Sequence, residues 1–546
     1  MNKLVLCLLL LSPLAAMTQK KNNSRPKLVI GIVVDQMRPD YLQRYWSKLG
    51  ENGFKKIVDG GFTCRNTHFN YAPTYTAPGH ASIYTGTTPS VHGIAGNDWY
   101  DRKEGQAVYC TWDSTVTGVG SNGREGRMSP SRLLTTTITD QLQLCTRMQS
   151  RVIGISLKDR GAILPAGRSA DAAYWYDGVT GNWISSSWYM KELPQWVKEF
   201  NDRRWPDFYL SKPWTTLLPI EAYTECDKDD NPYEAVFKGE KKPIFPHDLP
   251  GLRGSSFDLV RRTPFGNTMT KDLALAAIAG EALGLDTVTD FLCISFSATD
   301  YVGHQFGPNA IETADTYLRL DKDLATLLDY LDKNIGKDEY LLFLTADHAC
   351  AENPKHLIDL KLPGGFVNDD TVTTAIREYL ASTYRKDGYL LRYINDQVFL
   401  DTERMKADGI NVQQAEEELG EHLRNKLDGM YDYLCGNLLQ KGSYTGQFRG
   451  AVQRGWYPGR SGDVWMMQLP GWTSRLYSGD GTQGTTHGSP YPYDTHAPLH
   501  WYGWKIPQGS SADYVAITDI APTLAFLLDI TLPSGCTCNK IDALLK

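Results

Sequence analysis

Residues 27–35 read KLVIGIVVD, an unbroken apolar run rich in β-branched residues that ends on a carboxylate. A strand that is apolar on both faces belongs in the middle of a parallel sheet, covered by helices on each side. This run therefore predicts an α/β fold: a doubly wound, mostly parallel sheet flanked by helices. In such sheets ligands bind beyond the carboxyl ends of the strands. Asp35 is thereby placed where chemistry is done.

Other segments repeat the rhythm. Residues 152–157, 291–296 and 339–345 read as short apolar strands, and 41–58, 131–144, 271–283 and 313–331 carry helical spacing. Residues 513–530 add a last strand and helix. Two stretches break the pattern. Residues 171–254, rich in Trp, Tyr and Pro, predict an insertion over the sheet edge or the site. Residues 355–474 predict an α+β insertion, with strands at 389–401 and 463–468 and a charged helix near 413–433. The catalytic core is then expected in 27–170, 255–350 and 475–546.

The 546 residues suit one large domain with insertions or two to three domains, at roughly 150 residues each. The net charge of −7 and the lack of a basic stripe argue against a nucleic-acid polymer as partner. Residues 1–16 read as a signal peptide: Lys3, then an apolar run from Leu4 to Leu11, then Ala15-Ala16. That run is too short to span a bilayer, so a periplasmic or secreted protein is expected. Of ten cysteines, nine remain beyond Cys7, an odd count that leaves at least one unpaired. Their pairing cannot be read from spacing. Cys536 and Cys538 are too close to bridge each other, and Cys293 reads as a buried thiol.

Chemistry gathers at a few places. Residues 72–100, APTYTAPGHASIYTGTTPSVHGIAGNDWY, form a hydroxyl-rich turn leading into a helix, with Pro78 suited to the first turn. A helix start favours an anion, and one threonine there is a candidate nucleophile. Lys158 and Arg160 directly follow a strand and suit phosphate oxygens. Asp35, Asp300, His304, Asp347, His348 and His487 lie at strand ends or on a loop able to reach them. His80, His92 and His496 are further candidates. Asp and His without Cys suit zinc or a similar divalent ion with open coordination positions. Six ligands make two three-ligand sites, and two metals roughly 4 Å apart form a clamp for in-line phosphoryl displacement.

The motifs VVDQM, TYTAPGHASIYTG, HGIAGNDWY, SLKDR, TPFGN, TDYVGHQFGPN and TADH, in this order, resemble the alkaline phosphatase superfamily. The chain looks most like the bacterial exported PafA-type phosphate-irrepressible alkaline phosphatases, phosphomonoesterases with a threonine nucleophile. The resemblance implies two zinc ions, one held by Asp300, His304 and His487, the other by Asp35, Asp347 and His348 and also touching Thr76. It implies Thr76 as nucleophile, where spacing alone leaves Thr74 open. Asn97, Lys158 and Arg160 would hold the non-bridging phosphate oxygens, and His80 and His92 would be structural. Partners would be small-molecule phosphate monoesters, with inorganic phosphate as product and inhibitor, acting on a monomer. One departure stands out: Ala349-Cys350 follows the Asp-His pair, where the family usually has Gly, and a thiol there is expected to perturb or oxidise near the metals. Rival readings are a type I phosphodiesterase/nucleotide pyrophosphatase with the same Thr and metals, against which Lys158 and Arg160 argue, and an inactive metal- or phosphate-binding scaffold. A sulfatase is unsupported, since C-x-P-S-R is absent.

Overall fold

The computed structural model describes residues 25–254, 256–474 and 479–545. The signal-peptide reading at 1–16 lies outside them. Ten strands make the central sheet. In chain order they are β1 (Leu28–Val34), β2 (Phe62–His68), β3 (Gly118–Val119), β4 (Val152–Ser156), β5 (Ala172–Asp177), β6 (Asn182–Ser186), β7 (Asp290–Phe296), β8 (Tyr340–Thr345), β9 (His496–Gly503) and β10 (Gly509–Ala516). Across the sheet they run β10-β2-β9-β8-β1-β7-β4-β5-β6-β3.

The apolar run behaves as its sequence dictates. Every residue of β1 is buried, and it pairs in parallel with β7 and β8. β7 pairs in parallel with β4, so β8, β1, β7 and β4 form a parallel centre. Val33 lies opposite Thr345, Val34 opposite Phe296, and Ile155 opposite Ile294. The four carboxyl ends are therefore in step along one edge. The outer strands include antiparallel pairs, β8 with β9 and β5 with β6, so the sheet is mostly parallel.

The helices that position the site are α1 (Thr76–Thr85), α2 (Asp159–Ala166), α3 (Phe265–Gly280), α4 (Ala298–Phe306) and α5 (Ile311–Leu331). α1 packs so closely on β1 that a methyl on Gly31 would collide with the Tyr84 hydroxyl and the Phe343 ring. Burying each such large apolar side chain stabilises by about 1.5–3 kcal/mol. Among the described residues no helix is long and apolar enough to cross a membrane.

Several boundaries differ from the sequence reading. The helix expected over 131–144 starts only at Ile138, because Thr137 and Asp140 form a reciprocal capping box. The 41–58 segment breaks into short helices, as Asp321 takes the Gly50 and Phe54 N–H groups. The 171–254 segment does not start as an insertion: β5 and β6 extend the sheet. The 389–401 run is a hairpin, Leu390–Ile394 and Gln397–Leu400, turned by Asn395 and Asp396 at positive φ. With Val464–Gln468 and Met430–Cys435 it makes a separate four-stranded sheet. The charged helix α6 (Val412–Lys426) stops before the last of these, which the sequence reading had merged into it. No disulfide forms: the nine cysteines among the described residues are free, with Cys293 buried as expected.

Candidate active site

The in-step strand ends deliver the candidate residues in spatial order. β8 runs out to Asp347 and His348, β1 to Asp35, β7 into α4 with Asp300 and His304, and β4 to Lys158 at the start of α2. Asp35, Asp347 and His348 are 0% exposed, Asp300 2% and Lys158 4%. Such burial of charge persists only where partners or ions compensate it.

His304 and Asp300 share one face of α4, with Nε2 3.2 Å from Asp300 Oδ1. His487 reaches the same oxygen at 3.6 Å from its loop. On the other side, His348 Nε2 lies 3.6 Å from Asp35 Oδ1 and 3.5 Å from Asp347 Oδ2. The His348 and His487 rings stack at 3.4 Å between centroids, so the two sets are in contact. Asp300, His304 and His487 form one group with metal-ligand spacing, and Asp35, Asp300 and His348 form another. Asp300 thus faces both sets, while Asp347 is held to one side by the Gln36 N–H at 3.2 Å.

The residues present fit divalent ions. Each of the three histidines turns Nδ1 to a backbone carbonyl: His304 to Thr485 O at 2.8 Å, His487 to Thr74 O at 2.7 Å, His348 to Ala349 O at 3.0 Å. That places a proton on Nδ1 of each and turns Nε2 to the site, the usual arrangement behind a metal-ligating histidine; burial works against charge on His304, but Asp300 outweighs it and raises it above the usual range, so its Nε2 proton must leave before it ligates. His348 Nε2 and Asp347 Oδ2 are buried without a hydrogen-bond partner. Asp35 makes no well-formed hydrogen bond either, although the Lys158 ammonium lies 2.7 Å from its Oδ2. Burial pushes His487 down to about 3 and His348 well below the usual range. Both are then neutral at pH 7, as ligation requires.

Lys158 lies between the sets, 2.6 Å from Asp300 Oδ2 and 3.4 Å from Thr76 Oγ1. Burial and the neighbouring Asp300 raise Asp35 to about 6, with Lys158 opposing the rise. Burial also works against charge on Asp300, but His304 and Lys158 outweigh it and hold that carboxyl well below its usual range.

α1 begins at Thr76, so its hydroxyl stands at the positive end of the helix dipole. Thr74, the alternative, is committed elsewhere: its hydroxyl donates to Ser489 O at 3.0 Å. Asn97 accepts from the Ala77 N–H at 2.9 Å through Oδ1, which turns its amide N–H₂ to the cleft it lines. Arg160 donates to the Tyr109 hydroxyl at 2.9 Å and keeps a buried Nε without a partner. Thr76, Asn97, Lys158 and Arg160 all open on one cleft of about 630 Å³.

The other histidines do not join. His80 uses both nitrogens, on Thr76 O and Ser295 Oγ at 2.9 Å each. His92 is held by Ser82 Oγ at 2.9 Å and the Ile94 N–H at 3.2 Å. His496 stacks on His68, away from the cleft. Cys350 faces away as well: its thiol lies 3.7 Å from the Tyr41 hydroxyl, and burial pushes it up to about 12.

Two contributors had no sequence signal beyond their motif neighbours. Gln36, left-handed at φ 64°, donates from Nε2 to Asp300 Oδ1 at 2.8 Å and from its backbone to Asp347. Arg262 lines the cleft beside Tyr301 and donates to Gln305 Oε1 at 3.1 Å.

Over residues 29–490 the chain matches the family described as type I phosphodiesterase / nucleotide pyrophosphatase. A Myroides odoratus protein named calcium-transporting ATPase is 46% identical over 94% of this chain and 93% of its own. Alkaline phosphatase PhoV of Synechococcus elongatus is 44% identical over 96% of this chain and 94% of its own. The crystal structure of wild-type alkaline phosphatase PafA matches with a TM-score of 0.92 at 43% identity, covering 96% of this chain and 99% of that one.

Proposed function

The chain belongs to the type I phosphodiesterase / nucleotide pyrophosphatase family, within it is an alkaline phosphatase of the PafA and PhoV kind, and we propose that it is an exported, zinc-dependent phosphomonoesterase acting through a phosphothreonine at Thr76. The family alone leaves monoester and diester chemistry open. What favours the monoester is the pair of cations at the end of β4, Lys158 and Arg160, opening with Asn97 on the cleft beside Thr76. A monoester dianion offers an extra charged oxygen for a second cation, where a diester carries a substituent.

The Thr76 hydroxyl gives its proton to solvent hydroxide and its oxygen attacks phosphorus in line. The P–O bond to the leaving group breaks as the bond to Thr76 forms. Lys158, Arg160 and the Asn97 amide hold the non-bridging oxygens, and the α1 N-terminus adds its partial positive charge. Water then displaces Thr76 and frees inorganic phosphate. Because this transition state is loose, placement and charge stabilisation carry most of the catalysis. When bound, zinc at Asp300, His304 and His487 and at Asp35, Asp347, His348 and Thr76 would supply the Lewis acidity that favours the Thr76 alkoxide and a charged leaving oxygen. The small-molecule monoester is the expected partner, and a monomer the expected unit.

The test compares an aryl phosphate monoester, its diester and ATP as substrates of the chain lacking residues 1–16, before and after chelation and zinc return. ATP is included because of the ATPase name carried by one relative. The monoester should be hydrolysed best, and only with zinc restored. A preference for the diester would overturn the reading. Thr76→Ala should cut kcat by at least about 10³-fold and abolish burst kinetics.

A further inference from the structure

Residues 98–109 form a small hairpin beside Asn97 and Arg160. Its strands, Asp98–Asp101 and Gln106–Tyr109, pair in antiparallel with Asp98 opposite Tyr109. Asn97 stands at its inner end and is held there from two directions. Asn97 Oδ1 accepts from the Ala77 N–H at 2.9 Å, one residue past Thr76. Asn97 O accepts from the Cys110 N–H, also at 2.9 Å. The start of α1, Asn97 and the end of the hairpin's second strand are therefore joined in one hydrogen-bonded run.

The same end of the hairpin reaches Arg160. Asp159 and Arg160 open α2 as consecutive residues, and neighbours in sequence do not face each other on a helix. Tyr109 fills the gap between them. Its hydroxyl accepts from Arg160 Nη1 at 2.9 Å and donates to the Asp159 carboxylate, 3.0 Å from Oδ1 and 3.1 Å from Oδ2. The buried Thr111 hydroxyl donates to Asp159 Oδ1 at 2.6 Å, so one short segment supplies two O–H donors to one carboxylate. Burial pushes the Tyr109 hydroxyl well above the usual tyrosine range, against the pull of Arg160, so it stays protonated and keeps donating. Each of these bonds has a charged group at one end, which makes it stronger than a neutral pair. Arg160 keeps its Nε without a hydrogen-bond partner.

We propose that Tyr109 is a positioning residue for the phosphate site: its phenol, anchored on Asp159, fixes the Arg160 guanidinium in register with Asn97, so that residues 97–111 and the start of α2 grip the non-bridging oxygens as one unit. The inference rests on the phosphomonoesterase reading and adds the part that holds its cation in place. An arginine side chain has several rotatable bonds, and ordering them on binding costs affinity and rate. Here one N–H of the guanidinium is committed before substrate arrives, and the rest of the planar fork is left to phosphate. Without the hydroxyl, Arg160 and Asp159 each lose a partner, and the guanidinium is free to turn from the cleft towards the carboxylate. Tyr109 does not touch substrate in this scheme; it acts through Arg160.

The test is a double-mutant cycle in the zinc-saturated chain lacking residues 1–16, with kcat/KM measured on an aryl phosphate monoester and its diester. Tyr109→Phe keeps the ring and its packing. It should lower the monoester value about tenfold and the diester value by no more than about twofold. In an Arg160→Ala background the same substitution should cost less than about twofold, because the residue it acts through is gone. The inference is overturned if Tyr109→Phe leaves the monoester unchanged, if both esters fall equally, or if the two losses multiply in the double variant; the last two would assign Tyr109 to the fold alone. Should Tyr109→Phe lose zinc or fail to fold, Asp159→Asn decides in its place. It weakens the anchor while keeping its shape, and should cost the monoester about threefold with Arg160 present and nothing without it. A wild type that prefers the diester would overturn the monoesterase reading itself. A wild-type monoesterase indifferent to Tyr109→Phe would overturn only the role of Tyr109.

Discussion

Gly79 sits where α1 meets the β8 turn, and a Cβ there would collide with the Asp347 carbonyl. That contact sets how far Thr76, three residues earlier, stands from the Asp347–His348 pair. Gly79→Ala must push helix and turn apart by a fraction of an ångström, and misplacement of reacting groups is costly to rate. The expectation is at least a tenfold loss in kcat on an aryl monoester with zinc content kept; unchanged kcat would show that the contact does not set the geometry. Lys158 and Arg160 make the complementary case. Alanine at either should lower kcat/KM for the monoester by about 10²-fold or more, and for the diester far less. Equal losses on both esters would deny them the role of reading the dianion. Sequence spacing named these two cations and all six candidate ligand residues. It could not choose between Thr76 and Thr74, because that choice depends on where the Thr74 hydroxyl points, and it is spent on Ser489 O.

At the scale of elements, the strands were the most legible parts. Long apolar runs such as Leu28–Val34 have one reading once both faces are buried. Boundaries set by side-chain hydrogen bonds were not legible: the late start at Ile138, fixed by Thr137 and Asp140, leaves no mark on periodicity. The 390–400 hairpin was hidden for another reason, since its turn uses Asn395-Asp396 rather than a glycine. That turn also docks the insertion on the core, with Asn395 Nδ2 donating to Asp98 O at 2.7 Å, next to Asn97. α6 buries Glu416, whose side chain accepts from Asn437 at 2.7 Å. Burial, then Asp463, raise this carboxyl to about 8. Its folded value lies above the unfolded one, so its contribution is full below pH 4.5 and is lost as pH rises through 8. Glu416→Gln should therefore raise Tm at pH 9 by a degree or two and change little at pH 5; a shift independent of pH would mean that Glu416 is charged in the fold.

For the whole molecule, the decisive feature is the parallel centre β8-β1-β7-β4, which places four strand ends in one row. The candidate ligands could be collected from sequence because most of them follow apolar runs, with His487 added from a loop, but their partition could not, since Asp300 faces both sets. Lys158 shows how the row is held together. Its ammonium lies 2.7 Å from Asp35 and 2.6 Å from Asp300. In the proposed mechanism metal ions and this ammonium would compete for the same carboxylates, and a phosphate role for Lys158 requires that metals win. Lys158 would then have two separable duties: neutralising Asp35 and Asp300 when metal is removed, and engaging phosphate when it is bound. Removing one partner of a buried ion pair is strongly destabilising, by about 3–5 kcal/mol. Lys158→Ala should therefore lower Tm markedly in chelated protein and only slightly in zinc-saturated protein, where its monoesterase kcat/KM stays about 10²-fold down. Thermal unfolding of wild type and variant, each with and without chelator, measures the difference directly. An equal Tm loss in both forms would mean that Lys158 stays on the carboxylates throughout, and the assignment of the phosphate oxygens would fall to Arg160 and Asn97 alone.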